Sequence, residues 1–139
     1  MSYSKKILVL LGVLSGLILG YYLIFNNSKN QLENKVPEAI LSSESLVNAF
    51  IQNQSRAADV YTKKVLLVSG TVKEINTLNN RFTLYLQTSN TASIICDVSP
   101  TQSELFYQIK KGQQIVIKGI CKGFLKDVIL QNCIIELNE

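Results

Sequence analysis

The chain has 139 residues, 14 of them basic and 10 acidic, for a net charge of +4. It contains no histidine and no Cys-x-x-Cys pair, which removes the usual structural zinc sites and the ordinary base of a serine or cysteine nucleophile. Four bases (Lys5, Lys6, Lys29 and Lys35) and one acid (Glu33) precede Pro37, leaving ten bases against nine acids beyond it; a net charge of +1 is a weak footprint for phosphate-driven binding to nucleic acid.

Nineteen uncharged residues, Ile7 to Phe25, follow Lys5 and Lys6. As a helix rising about 1.5 Å per residue they cover roughly 28 Å, close to the ~30 Å of a hydrocarbon core. The run ends in Tyr21-Tyr22-Leu23-Ile24-Phe25-Asn26-Asn27, with no small-x-small cleavage pair and no cysteine for acylation. It therefore reads as an uncleaved signal anchor over residues 7–25 rather than a removed signal peptide. Lys5 and Lys6 abut its inner end, whereas Lys29 and Lys35 lie farther from the outer end with Glu33 between them. The positive-inside rule then puts residues 1–6 in the cytoplasm and the C-terminal domain outside a single-pass cytoplasmic (inner) membrane protein. Tyr21 and Tyr22 suit the interfacial aromatic belt. Gly12, Gly16 and Gly20 recur every four residues on one helix face, where a second backbone can approach closely and form a homodimer; glycine is also common in membrane helices without that role.

Residues 26–36 are polar and read as a linker. Residues 37–139 suffice for one compact domain. Ser43 to Tyr61 has helical period: Leu46, Val47, Phe50, Gln54, Ala57, Ala58 and Tyr61 share a mostly apolar face, with Ser43 as N-cap and Glu44 in the first turn. The period then changes to two. Val65 to Ile75 reads as a strand, with Gly70 as a bulge or barrel corner. A turn follows at Asn76 to Asn80. In the next strand Phe82, Leu84 and Leu86 alternate with Thr83, Tyr85 and Gln87. After a turn at Thr88 to Thr91, Ile94, Cys96 and Val98 form a third strand. Ser99-Pro100-Thr101-Gln102 signals a helix start, with Ser99 capping, Pro100 in the first position and Gln102 closing a capping box. That helix should reach Lys110 on an apolar face of Leu105, Phe106 and Ile109, and end at Gly112. Ile115, Ile117 and Cys121 face one way in a fourth strand that contains Gly119. Gly123 to Lys126 turns the chain, and Val128 to Leu137 is the fifth strand.

The order β-β-β-α-β-β, with glycine kinks in the first and fourth strands, is the layout of an all-β OB-fold: a five-stranded barrel, here preceded by an amphipathic helix and the transmembrane helix. The helix between the third and fourth strands would plug one barrel end.

Cys96, Cys121 and Cys133 leave two readings. An exported domain can oxidise two of them and leave one over, with the pair not chosen by spacing; or all three pack as small buried hydrophobes. Catalysis is the weakest functional class. Asp59, Glu74, Asp97, Glu104, Asp127 and Glu136 fall on separate elements, and no glycine-rich phosphate loop is present. No cofactor or metal is expected.

The domain resembles the tRNA-anti-like OB-fold family, small exported or membrane-attached proteins found mostly in Bacteroidota. The resembling residues are Phe50-x-x-Asn53, Tyr61-x-Lys63 leading into Val68-Ser69-Gly70-Thr71-Val72, Cys96, Gly112-Gln113, Ile117-Lys118-Gly119-Ile120-Cys121-x-Gly123, and Asp127-Val128-x-Leu130-x-x-Cys133. They span roughly Ser43 to Leu137. Many members look like lipoproteins with an acylated cysteine; this chain departs from them in using a transmembrane helix. The resemblance implies the fold and does not by itself imply RNA binding.

OB-folds bind through the face of strands two and three and the loops joining strands one to two and four to five. The matching residues here are Arg81, Thr83, Tyr85 and Gln87 on strand two, Lys73 near the first loop, and Phe124 and Lys126 in the last. Aromatics flanked by cations suit single-stranded nucleic acid, whose bases stack beside phosphate partners. The competing reading makes Tyr85 surface cover and Phe124 local packing, with solvated charges. A protein or glycan of the cell envelope fits the expected location better, and a structural subunit of a membrane complex is the remaining alternative.

Overall fold

The computed structural model describes residues 2–26 and 32–136. Residues 27–31 of the expected linker, and Leu137 at the expected end of the last strand, lie outside the described residues. The chain divides into two compact units, the first ending at Asn34 and the second beginning at Lys35.

The first unit holds α1, Ser2–Asn26. Its segment Tyr3–Ile24 has a mean hydropathy of 2.4 and none of it is buried. A helix this long and apolar all round has the surface of a membrane-spanning segment. Gly12, Gly16 and Gly20 meet open space where a Cβ would stand.

In the second unit the chain runs through β1 (Ala39–Ser42), α2 (Ser43–Gln52), α3 (Gln54–Tyr61), β2 (Val65–Leu78), β3 (Arg81–Leu86), β4 (Ile94–Val98), a 3-10 turn (Pro100–Gln102), α4 (Ser103–Phe106), β5 (Gln114–Phe124) and β6 (Val128–Glu136). β2, β3, β4, β6 and β5 pair in that order, and β5 returns to β2 to close the barrel. β4 and β6 are parallel; the other barrel pairs are antiparallel. This is the expected OB-fold.

Closure comes from the length of β2. Val65–Thr71 pairs with β5, and Val72–Leu78 pairs with β3, with a register shift between Val72 and Glu74. The pairings of β5 with β6 shift on either side of Gly119 and again before Gly123. The β5 kink therefore sits at Gly119 as expected, whereas the β2 shift falls at Lys73 and not at Gly70, which pairs in regular register with Ile115. Inside, alternate residues such as Val68, Val72, Leu84, Leu86, Ile94, Cys96, Ile117, Leu130 and Cys133 are fully buried. α2 brings Leu46, Val47 and Phe50 into the same core, and α4 adds Phe106, whose ring lies 5.0 Å from that of Phe82. The short helix thus plugs the barrel as anticipated.

Several local expectations need correction. The 43–61 helix is two helices, broken at Asn53. That residue is extended (φ −155°, ψ 93°), and its side-chain oxygen accepts the Arg56 N–H at 3.0 Å. Asparagine bonds to nearby backbone in non-helical conformations, so it starts a new helix more readily than it continues an old one. The N-cap of α2 is Ser42, which accepts the Ser45 N–H at 3.1 Å, while Ser43 is buried and donates to the Gln87 carbonyl. β2 continues through the segment expected to turn, and the turn is the pair Asn79-Asn80, both with positive φ. That is the geometry of a two-residue hairpin whose twist matches its strands. The helix after Pro100 ends at Phe106, and Ser99 makes no side-chain cap. Its hydroxyl pairs with that of Thr101 instead. β5 runs on to Phe124, so only residues 125–127 connect it to β6.

β1 was not foreseen. Its four residues, Ala-Ile-Leu-Ser, are too few to display a period. It lies parallel to β2, with Ala39 opposite Leu66 and Ser42 opposite Ser69. Because β5 holds the other edge of that stretch, β1 occupies the same edge of β2 that β3 takes farther on.

A Cβ added at Gly119 would stand 2.7 Å from Cys133 Sγ and 3.3 Å from Leu130 Cβ, both core atoms. Overpacking of this kind costs about 1–3 kcal/mol. Gly119→Ala should lower the unfolding free energy by that amount, read by circular dichroism as a lower urea midpoint with the slope unchanged; an unshifted midpoint would show that the strand yields freely here.

Candidate functional site

The outward face of β3 carries Arg81, Thr83 and Tyr85, because the inward positions Phe82, Leu84 and Leu86 are committed to the core. Pairing extends each row. Thr83 lies between Asn76 and Asp97, and Tyr85 between Glu74 and Ile95. The Asn79-Asn80 hairpin borders this face at one end, and the 125–127 turn at the other.

Its charges cancel locally. Arg81 Nη2 lies 3.8 Å from Asp97 Oδ2, an exposed pair that fixes little energy but neutralises the cation. Glu74 stands opposite Tyr85 in the register. Lys73 Nζ donates to the Ser93 hydroxyl at 3.3 Å, and the Ser93 N–H donates to Asp127 Oδ1 at 2.7 Å. This relay holds Lys73 at the end of the barrel where Lys126 sits, next to Asp127. Arg81 is at the opposite end. Of the five ligand-contact residues named from sequence, Lys73 and Lys126 share one end, Tyr85 lies between, and Arg81 marks the far border.

Phe124 is engaged elsewhere. Its ring stacks on Phe50 at 5.6 Å and 17°, and its carbonyl accepts the Gln54 side chain at 3.1 Å. It locks the turn to α2 and α3. Leu125, 87 % exposed, is the apolar side chain that the turn presents. Tyr107, 70 % exposed and edge-on to Phe82 at 5.7 Å, adds an aromatic near the Arg81 border. Sequence reasoning missed both. Tyr107 falls off the Leu105, Phe106 and Ile109 face, and that phase was the available signal.

The three cysteines are buried free thiols. Burial above all, with the nearby Cys96 second, pushes the Cys133 thiol well up; burial also raises Cys121. Protonated core thiols of this kind are not nucleophiles. Among the described residues no cluster of three metal-ligating side chains occurs.

A separate polar cleft of about 580 Å³ opens where α2 begins, lined by Ser42, Glu44, Ser69, Thr71, Gln87 and Gln114 among others. Glu44 forms its rim. It accepts the Ser89 N–H at 2.7 Å, the Ser89 hydroxyl, and Asn90 Nδ2 at 3.4 Å, clamping the β3–β4 turn to α2.

A model of the tRNA_anti-like family matches residues 1–135. Among solved structures, a candidate nucleic acid-binding lipoprotein from Klebsiella pneumoniae is 16 % identical, with a TM-score of 0.61 over 70 % of this chain and 91 % of its own. At that identity the likeness is one of fold. An OBody bound to hen egg-white lysozyme overlaps at 11 % identity and a TM-score of 0.43, over 58 % of this chain and 88 % of its own. The asparaginyl-tRNA synthetase from Pyrococcus horikoshii does so at 11 % identity and 0.41, over 55 % of this chain and 20 % of its own. No curated protein matches the sequence.

The Ser89 hydroxyl, and then its N–H, hold the Glu44 carboxyl below its ordinary value against a small opposing effect of desolvation. A depressed carboxylate contributes stability above its unfolded pKa and loses it as pH falls through the folded one. Glu44→Gln should therefore unfold at lower urea than the parent at neutral pH, and the gap should close in strong acid. A gap independent of pH would show that the clamp does not depend on charge.

Proposed function

We propose that this chain, which belongs to the tRNA_anti-like family, is a membrane-anchored binding module and not an enzyme. Its partner in this reading is a protein or glycan of the cell envelope, met through the outward face of β3 and β4. Tyr85 and Thr83 supply the contact surface, Lys73, Lys126 and Arg81 border it, and Phe124 braces the turn. The observation that carries the reading is the neutrality of that face: Arg81 is paired with Asp97, and Glu74 accompanies Tyr85. A strand of phosphates gains most of its nonspecific affinity when unpaired cations of the protein displace its counterions into solution. A neutral face with hydroxyl and aromatic groups suits polar uncharged partners instead. The buried thiols and the absence of histidine support a role without nucleophilic chemistry.

The apolar helix α1 supports the anchor, and Lys5 and Lys6 ahead of it support a cytoplasmic N-terminus with the barrel outside. A reporter enzyme active only outside the cytoplasm, fused after Glu139, should be active. An intact but inactive fusion would put the barrel in the cytosol and remove envelope partners from the reading.

Single-stranded nucleic acid is the second reading, suggested by the description of the Klebsiella lipoprotein and by Lys73 and Lys126 at one border. Fluorescence anisotropy with oligo(dT) and oligo(rU) decides between the two. The neutral face predicts weak binding that changes little with salt. Tight binding that weakens steeply with salt, by about 0.7 logarithmic units per phosphate contacted, and that Tyr85→Ala abolishes, would establish the second reading in place of the first.

A further inference from the structure

We propose that the polar cleft beside α2 is a binding site for a short, neutral saccharide. It deepens the glycan reading above but uses a different surface, so the two can fail independently.

The cleft exists because two strands stop short of each other. β1 ends at Ser42 and β3 at Leu86, and both lie along one edge of β2. The gap between them falls at Gly70 and Thr71. Gly70 lets the start of α2 approach β2 at that gap, since a Cβ there would stand 2.8 Å from the Ser43 hydroxyl. The resulting volume of about 580 Å³ lies within the range of about 300–1,000 Å³ typical of small-molecule sites.

The walls are held before any ligand arrives. Ser43 donates to the Gln87 carbonyl at 3.0 Å, and the Gln87 N–H donates to the Thr71 carbonyl at 2.8 Å. Glu44 spends its charge on Ser89 and Asn90. Gln114 is oriented by its side-chain bond to the Thr71 hydroxyl at 3.3 Å. What faces solvent from these walls is a mixed set of hydroxyls and carboxamides, with Ser69, Gln87 and Gln114 exposed.

This chemistry selects one ligand class. Among the described residues no lysine or arginine lines the cleft, and its carboxylate repels anions, so phosphates and nucleic acids are disfavoured. No large apolar side chain lines it either, so an apolar ligand gains nothing. A carboxamide donates and accepts from one planar group, and a hydroxyl does both from one atom. Their natural complement is a ligand whose own groups also donate and accept at close spacing, namely the vicinal hydroxyls of a sugar. Without an aromatic ring to stack on, affinity should be on the order of millimolar.

The test is an amide-shift titration by nuclear magnetic resonance of the full chain. A phosphocholine detergent is used, so that no sugar headgroup competes. The probes are glucose, N-acetylglucosamine, maltose and N,N′-diacetylchitobiose, with inorganic phosphate as the anionic control. At least one sugar should produce saturable shifts at Ser69, Gly70, Thr71 and Gln87, and phosphate none. Gln87→Ala with Gln114→Ala, both exposed positions, should weaken that binding at least about tenfold and leave the remaining spectrum in place. Absence of a saturable shift from all four sugars would overturn the proposal. So would shifts from phosphate at these amides, or sugar binding indifferent to the glutamine substitutions. Loss of sugar binding in Tyr85→Ala alone would move the glycan site to the β3–β4 face.

Discussion

The barrel depends on one strand serving two partners. β2 gives its first half to β5 and its second half to β3, so the sheet must bend within a single strand to close. A bend needs a local break in register, which the shift between Val72 and Glu74 supplies, and room for the elements that meet there. Gly70 supplies the room. Its missing side chain admits the start of α2, whose Ser43 hydroxyl occupies the space. The hydrophobic effect supplies the driving force, since closure buries the inward rows of all five strands in one core.

That bend has consequences beyond stability. It leaves the first half of β2 with an open edge, and β1 takes part of it. The part left between β1 and β3 becomes the polar cleft. Farther along, the same curvature turns the outward side of β3 and β4 into the surface bordered by the Asn79-Asn80 hairpin and the 125–127 turn. Both surfaces are thus by-products of closure, and they differ in chemistry. The cleft is lined by hydroxyls and amides. The β3–β4 face carries charges, but in pairs that cancel.

Much of the fold was legible in the sequence. The alternation of Phe82, Leu84 and Leu86 with Thr83, Tyr85 and Gln87 predicts which side of β3 enters the core, and it does. Gly119 announces a bend because no other residue leaves that space. Boundaries were harder. Asn53 interrupts a face whose apolar period runs straight through it, since period reports which residues face the core and not whether the backbone between them is continuous. The candidate site was legible only in outline. Arg81 and Tyr85 lie on the expected strand face, whereas Lys73, expected near the first loop, sits at the opposite end of the barrel from the Asn79-Asn80 hairpin; the neighbours Ser93, Asp97 and Glu74 could not be read from spacing. Spacing left Phe124 open between a ligand contact and local packing; its stacking on Phe50, 74 positions earlier in the chain, decides for packing.

The sequence by itself determined the apolar helix, the five barrel strands in chain order, the inward rows and the kink at Gly119, because each follows from local period or from the sterics of single residues. The tertiary structure alone decided the seat of β1, the polar cleft, the neutralisation of Arg81, the loss of Phe124 to the core, and the adjacency of Cys96 and Cys133. Each of these depends on which distant residues are brought side by side. That is set by the register of the closed barrel, a property of all five strands at once.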